Sequence, residues 1–192
     1  MSYALILLSW TIFGAIHSLT ASFWLKQLVA TRFGKLYPYY QLLYNGLALL
    51  TFLIVLWFHR MAPNDYFSGW YGSSLLGMLV SGVGLAIAVL ALRGYDLAEF
   101  IGWPISHPQT NEQGLRQNGL LHFMRHPLYT GIILTLIGIV IVQPTWSSLL
   151  LLLAATLYIR IGIYYEEQKL LATFGNVYRQ YRERVPMLLP RL

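Results

Sequence analysis

A chain of 192 residues that is 57% hydrophobic and only 10% charged has too few ionised side chains to coat a soluble globule, since ordinary domains carry about 25%. That hydrophobicity excludes intrinsic disorder, and the absence of cysteine excludes disulfides, thiolate metal sites and a Cys nucleophile. The net charge of +6 would suit nucleic acid in a soluble protein, but it lies in loops between apolar segments, where it reads as membrane topology and attraction to anionic headgroups.

A spanning helix needs roughly 20 mostly apolar residues. Five segments approach this: 3–25, 40–58, 73–92, 128–142 and 146–165. The first is interrupted by His17-Ser18, the second by Tyr44-Asn45 and the last by Arg160. The first is too long, and too poor in basic residues at its start, for a cleaved signal peptide. The expected fold class is therefore all-α, a polytopic membrane protein of about five transmembrane helices. Residues 1–192 read as one integral-membrane domain: three N-terminal spans over 1–92, a cytoplasmic loop over 93–127, and a helical hairpin with a cytoplasmic tail over 128–192. Lys and Arg fix the expected orientation. Alternate sides of the five segments carry eleven basic residues against one, Arg60, with Arg160 inside a span. The positive-inside rule then places the N-terminus outside and the C-terminus in the cytoplasm.

Inside the third segment Gly82-x-Gly84 reads as helix packing, with Gly77 and Ser81 as a small-residue stripe. The stretch 93–125 is rich in Gly, Pro, Asn and Gln and reads as loop with at most a short helix. Gln143-Pro144-Thr145 is short enough to force a tight antiparallel hairpin. Counted outward from that turn at about 1.5 Å per residue, His126 lies about 28 Å back and Glu166 about 32 Å on. The two groups thus reach the same depth, at the cytoplasmic interface. His126-Pro127 also has a plain reading as a helix start. Gly175 is the expected stop of the last long helix. Glu167 shares a helical face with Arg160 and Tyr164, which gives it a structural pairing role and leaves Glu166 free for a ligand. His17, Asn45, Asp96 and Glu99 fall at a similar level. Polar groups at membrane depth are functional candidates by default, with a helix-to-helix hydrogen bond, His17 to Asn45, as the structural alternative.

These residues form a recognisable pattern. Arg125-His126-Pro127-Leu128-Tyr129-Thr130-Gly131 is followed by Glu166-Glu167, Leu170, Phe174-Gly175, Tyr178, Tyr181, Pro186 and Leu189-Pro190. The combination resembles the C-terminal core of the integral-membrane methyltransferases, the isoprenylcysteine carboxyl methyltransferase and phospholipid N-methyltransferase superfamily. Upstream, His17-Ser18, Tyr44-Asn45 and Tyr95-Asp96-Leu97-x-Glu99-Phe100-x-Gly102 are similar to a bacterial branch near the methanethiol S-methyltransferases and NnrU-like proteins. The core resemblance covers roughly residues 115–190. It implies S-adenosylmethionine as methyl donor, bound at the cytoplasmic end of the last two spans. The cofactor-binding positions it implies are Arg125, His126, Pro127, Tyr129, Gly131, Glu166, Glu167, Leu188, Leu189 and Pro190. One departure stands out: Gly119 is followed by Leu120 and Leu121 where the family often has a Tyr two residues on.

The residue types suit that chemistry. A carboxylate such as Glu166 matches the donor's ammonium or ribose hydroxyls; Arg125 or His126 at a helix start matches its carboxylate. Methyl transfer is an in-line displacement that gains chiefly from orientation and exclusion of water, so no nucleophile motif is needed. His17, Asn45, Asp96 and Glu99 are then assigned to catalysis at the acceptor, with His17 as the group nearest in pKa to working pH. The expected partners are membrane lipids and a lipophilic or small-molecule acceptor carrying a thiol, carboxyl or amine. No metal and no nucleic acid are expected. Two other readings fit five spans: a non-enzymatic accessory or transport protein, and an intramembrane sterol-type reductase, against which the short chain argues.

Overall fold

The computed structural model describes residues 3–35, 37–63, 65–67, 74–94, 98, 101–103 and 114–189. Asp96, Glu99 and Pro190 lie outside these. Seven α-helices are described: α1 Tyr3–Ala21, α2 Phe23–Arg32, α3 Tyr40–Arg60, α4 Ser74–Leu92, α5 Pro127–Val142, α6 Trp146–Phe174 and α7 Asn176–Arg184. Four of them, α1, α3, α4 and α6, are long and apolar enough to cross a membrane, and α5 is a shorter apolar helix. The protein is an all-α, polytopic integral membrane protein.

The described residues form two compact units. The first comprises residues 1–64 and 95–107. Here the expected first span, 3–25, is corrected: it ends at Ala21. Ser22 leaves the helical region (φ −64, ψ 144) and caps the next helix, its Oγ accepting from the Leu25 N–H at 3.3 Å. A serine hydroxyl satisfies an orphan N–H at a new helix start better than it serves a helix interior. The segment beyond it, expected as loop, is the short helix α2. α1 packs on α3 through Trp10, Phe13 and Phe52, whose rings meet edge-on or tilted at 5.7–6.0 Å. The Trp10 indole N–H donates to His59 Nε2 at 3.0 Å.

The second unit comprises residues 65–94 and 108–192. α4 and α5 lie antiparallel and nearly backbone to backbone. A Cβ at Gly84 would sit 2.5 Å from the Thr135 nitrogen and 2.7 Å from the Gly131 carbonyl oxygen. A Cβ at Gly77 would meet the Gly138 carbonyl at 2.7 Å, and one at Gly131 would meet the Ala88 nitrogen at 2.6 Å. Ser81 donates across the seam to the Thr135 carbonyl at 3.1 Å. In lipid the apolar effect cannot drive helices together, so close approach over small residues supplies the contact. Gly82, expected to pack with Gly84, is corrected: a Cβ there would meet nothing within 4 Å, because two residues from Gly84 it points about 200° away from the seam.

α5 and α6 form the expected hairpin. Thr145 caps α6 with a reciprocal pair: its Oγ1 accepts from the Ser148 N–H at 3.1 Å, and Ser148 Oγ accepts from the Thr145 N–H at 3.2 Å. α6 runs 29 residues, to Phe174, and Gly175 at φ +52 turns the chain into α7. Gly84→Val should lower the melting temperature in detergent strongly, by an overpacking cost of about 1–3 kcal/mol. Gly82→Val should leave it nearly unchanged.

Candidate active site

The site in the second unit is assembled at the start of α5. His126 is the residue before the helix and Pro127 its first residue, where the missing N–H costs nothing. Residues 185–189 run back along this start. The Arg125 N–H donates to the Pro186 carbonyl at 2.9 Å and the His126 N–H to the Met187 carbonyl at 3.1 Å. The Thr130 hydroxyl donates to the Leu188 carbonyl at 2.8 Å. The tail is thus strapped over the helix start by backbone groups that no side-chain motif announces.

Beneath the strap lies a buried charge cluster. Arg125 and Glu167 side chains are 7% and 9% exposed, with Nη2 to Oε1 at 2.6 Å. Arg125 Nε donates to the same oxygen at 2.8 Å, and its Nη1 donates to the Val185 and Arg182 carbonyls at 2.5 and 3.0 Å. His126 Nε2 approaches Glu167 Oε1 at 3.3 Å, and Arg182 Nη1 lies 3.9 Å from Oε2. Glu167 therefore has the structural partner expected of it, but that partner is Arg125 and not Arg160. Residues seven apart on a helix are separated by about 10.5 Å along the axis, too far for a direct pair. The Arg160 guanidinium lies against the Met187 sulfur instead.

Glu166 is different. Its side chain is 41% exposed, its Oε2 accepts from the Tyr129 hydroxyl at 3.2 Å, and His126 Nδ1 stands 3.7 Å away. The His126 and Tyr129 rings stack at 5.7 Å. The equal depth of His126 and Glu166 counted along the hairpin is met by this approach. α7 closes the other side. Tyr178 and Tyr181 are buried on its inner face, with Val185 beyond them and Leu170, Leu171 and Phe174 packed against them. The Tyr181 hydroxyl donates to the Leu121 carbonyl at 2.7 Å. Burial, and then the negative charge of Glu167, push the Tyr178 phenol well above its usual pKa.

Of the sequence candidates, Arg125, His126, Pro127, Tyr129, Glu166, Glu167 and Leu188 come together here. Arg125 is committed to Glu167 and to two tail carbonyls. Gly131 faces the α4 backbone. Leu189 is 69% exposed. His17 and Asn45 belong to the first unit. There the Tyr44 hydroxyl meets His17 Nε2 at 2.5 Å, and Asn45 Nδ2 donates to the Ile101 carbonyl at 2.9 Å. His17 thus meets Tyr44 while Asn45, the next residue of α3, reaches the Ile101 carbonyl, since adjacent helical residues point about 100° apart. Sequence reasoning missed Thr130 and Arg182. The spacing of Arg182 four residues after Tyr178 on one face of α7 was the available signal.

The two glutamates should separate in a stability measurement. Glu167→Gln leaves Arg125 buried without its counter-ion, at a cost of about 3–5 kcal/mol, and should lower the melting temperature markedly. Glu166→Gln, at a partly exposed position, should cost about 1 kcal/mol or less.

The profile of the phospholipid methyltransferase family matches residues 73–177, which include α4, α5, α6 and both glutamates. A methanethiol S-methyltransferase of Bradyrhizobium diazoefficiens is 32% identical over 157 residues, 78% of this chain and 59% of that protein. One from a Pseudomonas strain is 28% identical over 94% of this chain and 70% of its own. The protein-S-isoprenylcysteine O-methyltransferase of Schizosaccharomyces pombe is 27% identical over 62% of this chain and half of its own. The match to the Bradyrhizobium protein thus spans about three fifths of that relative's length. No solved structure matches the chain. With the family profile covering more than half of its length, across the helices that build the charge cluster, this chain belongs to the phospholipid methyltransferase family of membrane methyltransferases.

Proposed function

We propose that the chain is an S-adenosylmethionine-dependent membrane methyltransferase acting on a lipophilic or small acceptor drawn from the bilayer, with its donor site at the start of α5. The observation that carries this reading is the inequality of the two glutamates. Glu167 is buried and ion-paired with Arg125, whereas Glu166 keeps a partly exposed carboxylate on the same turn.

The residues fit the donor. Its ammonium or ribose hydroxyls find an acceptor in Glu166, oriented by the Tyr129 hydroxyl. Its carboxylate finds a cation in Arg182, whose side chain is 48% exposed and which reaches Glu167 only at 3.9 Å. When bound, S-adenosylmethionine supplies a methyl group activated on a sulfonium. This chain's residues hold the two ends of the donor and exclude water, which is what a displacement requires of a protein. The tail strap, fixed by Arg125, His126 and Thr130, gives the site a rigid wall. His17, held by Tyr44, is assigned with Asn45, Asp96 and Glu99 to the acceptor side.

We further propose that the N-terminus lies outside and the C-terminus in the cytoplasm, in a bacterial inner membrane, which brings the charge cluster to the side where the donor is made. Reporter fusions at residue 192 and between residues 60 and 72 test this: a cytoplasmic signal from the first and an external signal from the second are expected.

Binding of S-adenosylhomocysteine by the purified chain, read as calorimetric affinity, tests the donor site. Glu166→Gln should weaken binding about tenfold or more, the loss of a charge-assisted hydrogen bond, with little change in melting temperature. Undiminished affinity in this variant removes Glu166 from the site.

A further inference from the structure

The first unit contains an open cavity of about 320 Å³ that the donor site does not use. This lies within the roughly 300–1,000 Å³ of ordinary ligand sites. It is lined by Leu25, Val29 and Phe33 of α2 and the turn after it, and by Leu43 and Leu47 of α3. The three hydroxyls on its wall are already engaged. Tyr40 donates to the Thr20 carbonyl at 2.6 Å, Thr20 to the Ile16 carbonyl at 2.8 Å, and Tyr44 meets His17 at 2.5 Å. The wall therefore offers hydrocarbon and no unsatisfied polar group, so its occupant is an apolar chain.

The rim supplies the second half of the specificity. The lining residues of α2 repeat at a spacing of four, so Lys26 and Arg32, each three residues from Val29, flank that stripe. Lys35 follows in the loop. None of these three cations has an ion-pair partner among the described residues. Phe23 and Trp24, 73% and 65% exposed, and Tyr37 and Tyr39, both exposed, flank them along the sequence. Aromatic and basic residues together mark a membrane–water interface. Thr20 lies in the last turn of α1 and Tyr40 begins α3, so the cavity sits where two spans meet that interface.

We infer that this cavity holds the acyl chain of an anionic bilayer lipid, with Lys26 and Arg32 taking its headgroup charge. The inference does not rest on methyl transfer. The full chain, purified in neutral detergent, should be mixed with phosphatidylglycerol or phosphatidylcholine of identical acyl chains and its retained lipid counted by native mass spectrometry. Preferential retention of phosphatidylglycerol is expected. The Lys26→Gln, Arg32→Gln double variant should lose that preference, by about fivefold for each cation removed. Val29→Trp, which fills the cavity, should lower retention of both lipids with helicity unchanged. Equal retention of the two lipids by the native chain, or undiminished retention in the Val29→Trp protein, overturns the proposal. Should Val29→Trp lose helicity, the charge variants decide alone, because they alter no packing.

Discussion

The buried pair of Arg125 and Glu167 is the constraint on which the second unit depends. Taking two charges out of water costs several kcal/mol per ion, and only close geometry with further hydrogen bonds offsets it. Both conditions are met here. Three of the guanidinium's nitrogens are used, two on one carboxylate oxygen and one on the carbonyls of Val185 and Arg182. The same ion pair therefore joins three pieces of chain that are far apart in sequence: the entry to α5, the end of α6 and the tail after α7. An apolar contact in those places would bury area but would not fix direction. A fork of N–H donors does.

That junction also explains why one glutamate is buried in an ion pair while its neighbour stays partly exposed. Residues adjacent on a helix point about 100° apart. Glu167 faces the cations beneath the tail; Glu166 faces Tyr129 and open space. A buried, satisfied carboxylate is a poor ligand for anything that arrives later. A partly exposed one, held by a phenol and backed by a histidine, is a good one. Family membership supplies the class of chemistry, and the geometry divides the labour within a motif whose two acidic residues look equivalent when written out.

The hairpin that brings these groups to one depth is itself held by packing that lipid cannot replace. α4 and α5 approach so closely that glycine is required at Gly77, Gly84, Gly131 and Gly138 on steric grounds. α5 is thereby fixed at its middle by glycine contacts and at its start by the tail strap. Rigidity of this kind matters for a displacement reaction, in which misplacement of the reacting groups by about 1 Å can cost 100-fold in rate.

Apolar runs and the paucity of charge determined the all-α membrane fold, because a bilayer leaves the backbone few other solutions. Helix ends were legible where local chemistry sets them: Pro127 begins α5, Thr145 begins α6 and Gly175 ends it. The break at Ser22 was not, since apolar residues on both sides hid a cap that depends on one hydroxyl. The small-residue stripe of α4 could be read from spacing, but its partner on α5 could not, because only packing selects which helix it meets. The shared depth of His126 and Glu166 followed from counting residues along a hairpin. The identity of Glu167's partner did not. Sequence periodicity places residues on the faces of one helix, and Arg125 comes from the entry to another, beneath a tail about 60 residues further along the chain. Ion pairs of high sequence separation are decided by tertiary structure alone, and with them which of two adjacent glutamates remains available to a ligand.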